Sequence, residues 1–486
     1  MNLAAVIEPH PADSVALVNR GRTTTYGELR EQVGRLRGAL VGLGLAPGDR
    51  VGLICGNNGY FVTGYLATLG AGLVSVPLNP SSPPKELQRE LAAVSARAVI
   101  VGPAGRAAFD ALDAAAVPAL EHRILVDALP DSDPGPIVER EPSDLAVLMF
   151  TSGTAGSPKA AMLTHGNLTA NLHQMQEHPG RMQSASDVTL GVLPLFHIFG
   201  LNVVLGMSLY VGARVVLIER FDPVSAIEAI RTHEVTIVPG APSMWIAWAA
   251  APEATRAAFA SVRLAASGAA KLPLEVAEDC EQRFGVTVSE GYGLTEASPV
   301  VTTAAGAAAK PGSIGTPLPG VRLRLVDGEG EDVLVGDAGE LWVQGPNVFA
   351  GYWNDAAATA TVMTSDGWLR TGDIGVVDDD GALFLVDRAK DLIIVSGFNV
   401  YPAEVEDVIL QHPAVEACAV VGVAHPYSGE SVKAFVVVTP GQHVEEDSII
   451  AFCSDHLARY KCPEKVMFVE ELPVGIGGKV LRRALR

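Results

Sequence analysis

Cysteine is scarce. Five occur in 486 residues, at positions 55, 280, 418, 453 and 462, and no two form a CxxC pair. That scatter argues against a zinc site or a disulfide framework and fits reduced thiols inside a cell. Basic charge is also short: Lys and Arg number 35 against 55 Asp and Glu, a formal net charge of −20. Such a balance repels nucleic acid and anionic lipid on average, while leaving room for a local basic pocket. No long apolar run is present. The least polar stretch, 198–213, contains Asn202 and Ser208 and is short for a membrane span. The opening MNLAAVIEPHPADS has no basic segment followed by an apolar one, so no signal peptide and a cytoplasmic location are expected. Apart from Ala-rich patches there is no low-complexity tract, and no internal repeat.

What is present supports a large core, since 48% of the residues are hydrophobic. The length corresponds to about two or three domains. Thr25-Tyr26-Gly27-Glu28 has the form of a capping box, with Leu29, Val33, Leu36 and Leu40 following at helical spacing. Val215–Ile218 reads as a strand, Asp222-Pro223 as the start of a helix with Ile227 and Ile230 on one face, and Thr236–Val238 as a second strand. A βαβ unit of this kind implies a parallel sheet with helices on its faces. Near residue 378 the style changes. Asp378-Asp379-Asp380-Gly381 reads as a hairpin turn before strand Leu383–Val386, and the charged run Asp387–Asp391 reads as a linker. Short alternating strands and helices then follow to the end, enough for a compact α+β domain.

One loop stands out for its chemistry. Residues 151–159 read TSGTAGSPK, directly after the apolar Leu145–Phe150, which predicts a buried strand entering a loop. Glycines let backbone N–H groups turn toward an anion, and Ser, Thr and Lys add donors, so the composition suits phosphate oxygens. The spacing is not that of the GxxxxGK[ST] phosphate loop, because only Thr154 and Ala155 separate Gly153 from Gly156. Four further stretches set polar groups against glycine: Ser289–Glu296 (SEGYGLTE), Trp368–Asp373 (WLRTGD), Ser396–Pro402 (SGFNVYP) and Gly477-Gly478-Lys479. Taken singly each has an ordinary reading. Glu296 could be a surface carboxylate, Tyr292 a core tyrosine, Thr371-Gly372-Asp373 a turn and Gly397 a loop glycine. His197 could be a structural histidine and Arg388–Lys390 solvated charge, and a lysine near a C-terminus is usually idle.

Together and in this order, the five stretches resemble the acyl-adenylate-forming superfamily, and the small C-terminal part is most similar to bacterial long-chain fatty acyl-CoA ligases. The resemblance covers nearly the whole chain. It implies an α/β fold, with a large N-terminal domain of mixed sheets over residues 1–387, a hinge at 388–390 and a small mobile α+β domain over 391–486. It also implies Mg²⁺ as cofactor and ATP and CoA as cosubstrates. Thr151, Ser152, Gly153, Thr154, Gly156 and Lys159 would hold the β- and γ-phosphates, Thr295 the α-phosphate and Glu296 the metal. Gly268, Ala269, Glu290, Gly291 and Tyr292 would line the adenine pocket, and Asp373 and Arg388 would bind the ribose. Lys390 would be the pivot and Gly397 would open the pantetheine tunnel. Lys479 would bridge carboxylate and α-phosphate in the transition state, and His197 would sit beside the acyl pocket.

The sequence departs from the pattern in three places. Ala155 stands where a second threonine is usual, Ala160 replaces a common glycine, and Leu472–Lys479 lacks the polar residues that often precede Gly-Lys. Amino-acid-activating relatives commonly carry aspartate where His197 stands, so an amino acid is not the expected substrate. The expected activity joins a carboxylic acid, first of all a medium- to long-chain fatty acid, to CoA through acyl-AMP. An aryl acid, a carrier-protein acceptor or a non-catalytic nucleotide-binding role are the alternatives. A homodimer is compatible with the sequence.

Overall fold

The computed structural model describes residues 1–126, 132–151, 159–180, 183–306, 310–388, 391, 393–395, 398–425, 429–457, 459–474 and 480–485, without the side chains of 387–388, 394, 398–399 and 483. They form two compact units, Met1–Arg322 with Val343–Leu369, and Leu323–Trp342 with Arg370–Arg486.

The first unit is built on two mixed sheets. In one, nine strands run in the order Thr316–Pro317, Val300–Thr303, Val288–Gly293, Leu264–Ser267, Ile237–Gly240, Val188–Gly191, Arg214–Leu217, Val15–Asn19, Arg22–Thr25. Strands from Val288–Gly293 to Val15–Asn19 are parallel, and the flanking pairs are antiparallel. The expected βαβ unit is there: helix Pro223–Thr232 starts at Asp222, whose Oδ1 accepts from Ser225 N at 2.8 Å, and it buries Ile227 and Ile230. Its two strands are parallel but not neighbours, because Val188–Gly191 lies between them. Under this sheet Trp245, Trp248, Phe259 and Phe284 form the aromatic centre of the core.

The other sheet has six strands in the order His122–Leu125, Ala98–Val101, Arg50–Ile54, Val74–Pro77, Leu145–Thr151, Lys159–Thr164, all parallel but for the last pair. The capping box forms as expected. Thr25 Oγ1 accepts from Glu28 N and Glu28 Oε2 from Thr25 N, and helix Tyr26–Gly42 buries Leu29, Val33, Leu36 and Leu40. The weakly polar stretch folds as a π-helix, Phe199–Gly206, and a short α-helix, Met207–Val211. Among the described residues no helix is long and apolar enough to cross a membrane. All five cysteines are buried, and none is in a disulfide.

The second unit carries a four-stranded sheet, Arg322–Val326, Ala338–Gln344, Leu369–Val377 and Leu383–Arg388, in that order. Gly381, at φ 80°, closes the expected turn by donating to Asp378 O. The last strand runs beyond Val386 to Arg388, so Asp387 and Arg388 belong to the sheet and not to a linker. A five-stranded sheet follows, with helices Pro402–Ile409 and Glu446–His456 packed on it through Val405, Ile409, Ile449 and Cys453. The architecture is the expected one, a large mixed α/β part and a smaller α+β part.

Candidate active site

Thr151 and Lys159 are cross-strand partners, so TSGTAGSPK is the connection of an antiparallel hairpin. Ser152, Gly153, Thr154 and Gly156 lie outside the described residues. Thr151 Oγ1 donates to Lys159 O at 3.4 Å, and the Lys159 ammonium lies 5.1 Å from the ring centroid of Tyr352. On the same ring, the Tyr352 hydroxyl donates to Glu296 Oε1 at 2.7 Å. Burial, and then the Glu296 charge and hydrogen bond, hold the Tyr352 phenol well above its ordinary pKa, so it stays a donor.

Thr295 and Glu296 sit on a single 3-10 turn, Thr295–Ala297, that ends at Ser298 in the left-handed region, φ 69°. Three buried asparagines clamp its backbone. Asn202 Nδ2 donates to Ser298 O at 2.7 Å, and Asn347 Nδ2 to Ala297 O at 2.8 Å. Asn171 both donates to Val300 O and accepts from Val300 N. Phe349 N donates to Glu296 O at 2.8 Å, fixing the residue's own carbonyl. Helix His165–Glu177 presents Asn167, Asn171 and Gln174 on one face, where Asn167 holds the carbonyls of Pro346 and Val348 and Gln174 reaches Asn347. One helix, entered directly from the strand that begins at Lys159, therefore braces the turn bearing Thr295 and Glu296. Removing one of these amides would leave a buried partner unsatisfied, at about 1–3 kcal/mol.

The remaining first-unit residues gather at the carboxyl ends of parallel strands, where sheets of this kind bind ligands. Ser267 pairs in register with Gly240 on one side and Glu290 on the other. Beyond it, Gly268 packs against Phe199, whose ring would stand 3.1 Å from a Cβ at that position. Ala269 holds φ 74°, a conformation that costs a non-glycine residue about 1–2 kcal/mol. The Glu290 carboxylate accepts from Leu272 N at 3.0 Å, tying the loop after Ser267 to the next strand. Burial raises its pKa and that hydrogen bond lowers it, with burial prevailing. Gly291 stands opposite Thr303 and Tyr292 opposite Thr302, with Tyr292 buried. His197 is exposed, which removes the reading of a buried structural histidine; its Nδ1 accepts from Phe199 N at 3.3 Å at the start of the π-helix.

In the second unit Asp373 and Arg388 are cross-strand partners. Thr371 Oγ1 donates to Leu341 O at 2.6 Å, and Glu340 Oε1 accepts from Gly372 N at 3.0 Å, so the turn before Asp373 is held on the neighbouring strand. Lys390, Gly397 and Lys479 lie outside the described residues. On either side of 475–479, Val474 bridges Val480 and Leu481 N donates to Pro473 O at 2.7 Å.

Sequence reasoning missed Tyr352 and the three asparagines. A signal existed for one of them: Asn202 interrupts the apolar run 198–205, as an amide with buried partners does.

Residues 3–353 match the family of AMP-binding enzymes, and residues 404–479 match the AMP-binding enzyme C-terminal domain. The chain belongs to this family and is an ATP-dependent, adenylate-forming enzyme. It is 39% identical to a feruloyl-CoA synthase of an Amycolatopsis species, across 99% of this chain and 96% of that protein. Identity to the long-chain-fatty-acid–CoA ligase of Bacillus subtilis is 34%, across 97% and 91%. The solved structure of ATP-bound MatB from Rhodopseudomonas palustris is 32% identical and superposes with a TM-score of 0.93, spanning 100% of this chain and 98% of that one.

Proposed function

We propose that this chain is an acid–thiol ligase that converts a carboxylic acid and ATP to acyl-AMP and pyrophosphate, then passes the acyl group to CoA with release of AMP. The observation that carries the reading is the braced turn of Thr295 and Glu296, joined through Tyr352 to the Lys159 end of the Thr151–Lys159 hairpin. Attack of a carboxylate on the α-phosphorus brings two anions together, and cationic donors fixed in advance lower that barrier. In this reading Thr151–Lys159 hold the leaving pyrophosphate, Thr295 holds the α-phosphate and Lys479 bridges it to the acid. Tyr292, Gly291, Gly268 and Ala269 take the adenine, with Glu290 shaping the loop beside it, and Asp373 and Arg388 take the ribose.

Glu296 is the residue that would hold Mg²⁺. One of its oxygens accepts from Tyr352, and no described residue donates to the other. A single half-exposed carboxylate suits Mg²⁺, which keeps waters and shares phosphate oxygens, and does not need the cluster of three or more acidic, His or Cys ligands that is absent among the described residues. Bound there, the ion would offset phosphate charge. Lys390, just past the strand that ends at Arg388, is the pivot for residues 391–486, and Gly397 admits pantetheine.

The acid has an apolar body. No fixed negative charge stands at position 197 to pair with a substrate ammonium, and the Phe199 ring lies against Gly268. A medium- to long-chain fatty acid is the first substrate in this reading. An aryl acid is the second, favoured by the identity to the feruloyl-CoA synthase. The test is product mass after incubation with ATP, Mg²⁺, CoA and a panel of octanoate to palmitate, ferulate, benzoate, malonate and α-amino acids. A CoA thioester of a fatty or aryl acid is expected. Preference for malonate or an amino acid, or acyl-AMP that never passes to CoA, would overturn the assignment.

A further inference from the structure

Lys159 and Glu296 carry opposite charges and meet on one side chain without pairing with each other. The phenol of Tyr352 stands between them, with its hydroxyl on the Glu296 carboxylate at 2.7 Å and its face toward the Lys159 ammonium, 5.1 Å from the centroid. Were the two charges to form a direct ion pair, each would neutralise the other and be lost to a ligand. A ring holds both instead, one by a charge-assisted hydrogen bond and one by its negative face, and neither contact cancels the charge it holds.

Tyr352 is itself fixed on several sides. Residues 350–353 run antiparallel to the strand that starts at Lys159: Ala350 N donates to Met162 O, Met162 N to Gly351 O and Trp353 N to Ala160 O. Tyr352 bridges Ala161, and its own N–H donates to Thr359 Oγ1 at 2.9 Å. Its ring packs edge-to-face on Phe349 at 5.0 Å, the residue whose N–H holds the Glu296 carbonyl. Gly351 makes this approach feasible, since at φ 116° a side chain would be strained and a Cβ would stand 2.8 Å from Thr359. The phenol is 8% exposed, so neither of its contacts competes fully with water.

We propose that Tyr352 is a positioning residue that keeps Lys159 and Glu296 apart and oriented, so that the ammonium faces the phosphates and the free carboxylate oxygen faces their metal. The inference rests on the ATP-binding reading above and adds to it a residue that touches neither reactant. It makes a prediction that a packing role does not. Tyr352→Phe keeps the ring and the fold but frees the carboxylate to turn toward Lys159. The metal-dependent part of ATP affinity then falls by about tenfold, the scale of one hydrogen bond to a charged group.

The experiment is calorimetric titration of ATP into the full chain, with and without Mg²⁺, for wild type, Tyr352→Phe, Glu296→Gln and the double variant. Wild type gains affinity from Mg²⁺, Tyr352→Phe loses about tenfold of that gain with an unchanged melting temperature, and in the Glu296→Gln background the tyrosine substitution has no further effect. An unchanged Mg²⁺ gain in Tyr352→Phe, or the same loss in both backgrounds, overturns the proposal while leaving ATP binding intact. Wild type that does not bind ATP with Mg²⁺ overturns the functional reading, and this inference with it.

Discussion

Asp373 and Arg388, fifteen positions apart in the chain, stand directly opposite one another on neighbouring antiparallel strands. The pairing depends on the Asp378–Gly381 turn, which sets the register of the two strands it joins, and on a bulge between Ile374 and Gly375 that shifts that register by one residue before Asp373 is reached. A carboxylate and a guanidinium-bearing residue at one level of a sheet suit a vicinal diol, with the carboxylate accepting from its hydroxyls. Asp373→Ala is therefore expected to raise the KM for ATP by about tenfold to a hundredfold, the range for lost hydrogen bonds to a charged group. The check is 2′-deoxy-ATP. Wild type discriminates against it and the variant does not; equal discrimination in both would place Asp373 away from the ribose.

The hinge and the terminal lysine make a second prediction. Adenylation needs a cation at the α-phosphate, and thiolation needs an open path for CoA. Lys479→Ala is expected to slow acyl-AMP formation by about a hundredfold or more, the scale of one lost transition-state donor, while supplied acyl-AMP and CoA still give thioester. Lys390→Pro is expected to do the reverse, since a fixed φ restricts the pivot. Rapid-quench measurement of the two half-reactions separates these outcomes. An equal fall of both half-reactions in both variants would assign residues 391–486 to stability alone.

His165 gives a pH prediction that concerns the fold and not the chemistry. It is buried at the start of the bracing helix, and Leu3 N donates to its Nδ1 at 3.1 Å. Burial, reinforced by the nearby Arg140 charge, lowers its pKa to about 4. The unfolded chain takes up this proton near the ordinary histidine value of about 6.5, so it binds more protons than the native state between the two values. Stability from the neutral ring is thus fully present above that range and is lost as pH falls toward 4. His165→Asn, which can still accept from Leu3, should flatten the decline in melting temperature between pH 6.5 and 4. An unchanged slope would contradict the assignment.

Local chemistry was legible in the sequence wherever a few adjacent residues decide the outcome. The Thr25–Glu28 box, the Asp222-Pro223 helix start and the Asp378–Gly381 turn formed as read, and so did the strand–helix order of the C-terminal part but for the added strand Phe398–Val400. What escaped was set by distant partners. Val188–Gly191 slips between the two strands of the expected βαβ unit because sheet order is chosen by packing of whole layers. Asp387 and Arg388 extend a strand because the backbone of Ile374 and Asp373, on the neighbouring strand, lies opposite them. Tyr352 lies 193 positions from Lys159 and 56 from Glu296, and no periodicity carries information over such a span. The candidate site was legible as motifs in order, while the amides and the phenol that hold those motifs in place were not.

The most direct test of an adenylate-forming reaction is exchange of labelled pyrophosphate into ATP, with and without a carboxylic acid, in the absence of CoA. Exchange that requires a fatty or aryl acid and proceeds without CoA is the predicted result, because acyl-AMP formation is reversible before the thiol enters. Exchange independent of any acid, or ATP breakdown to ADP and phosphate in its place, would contradict it.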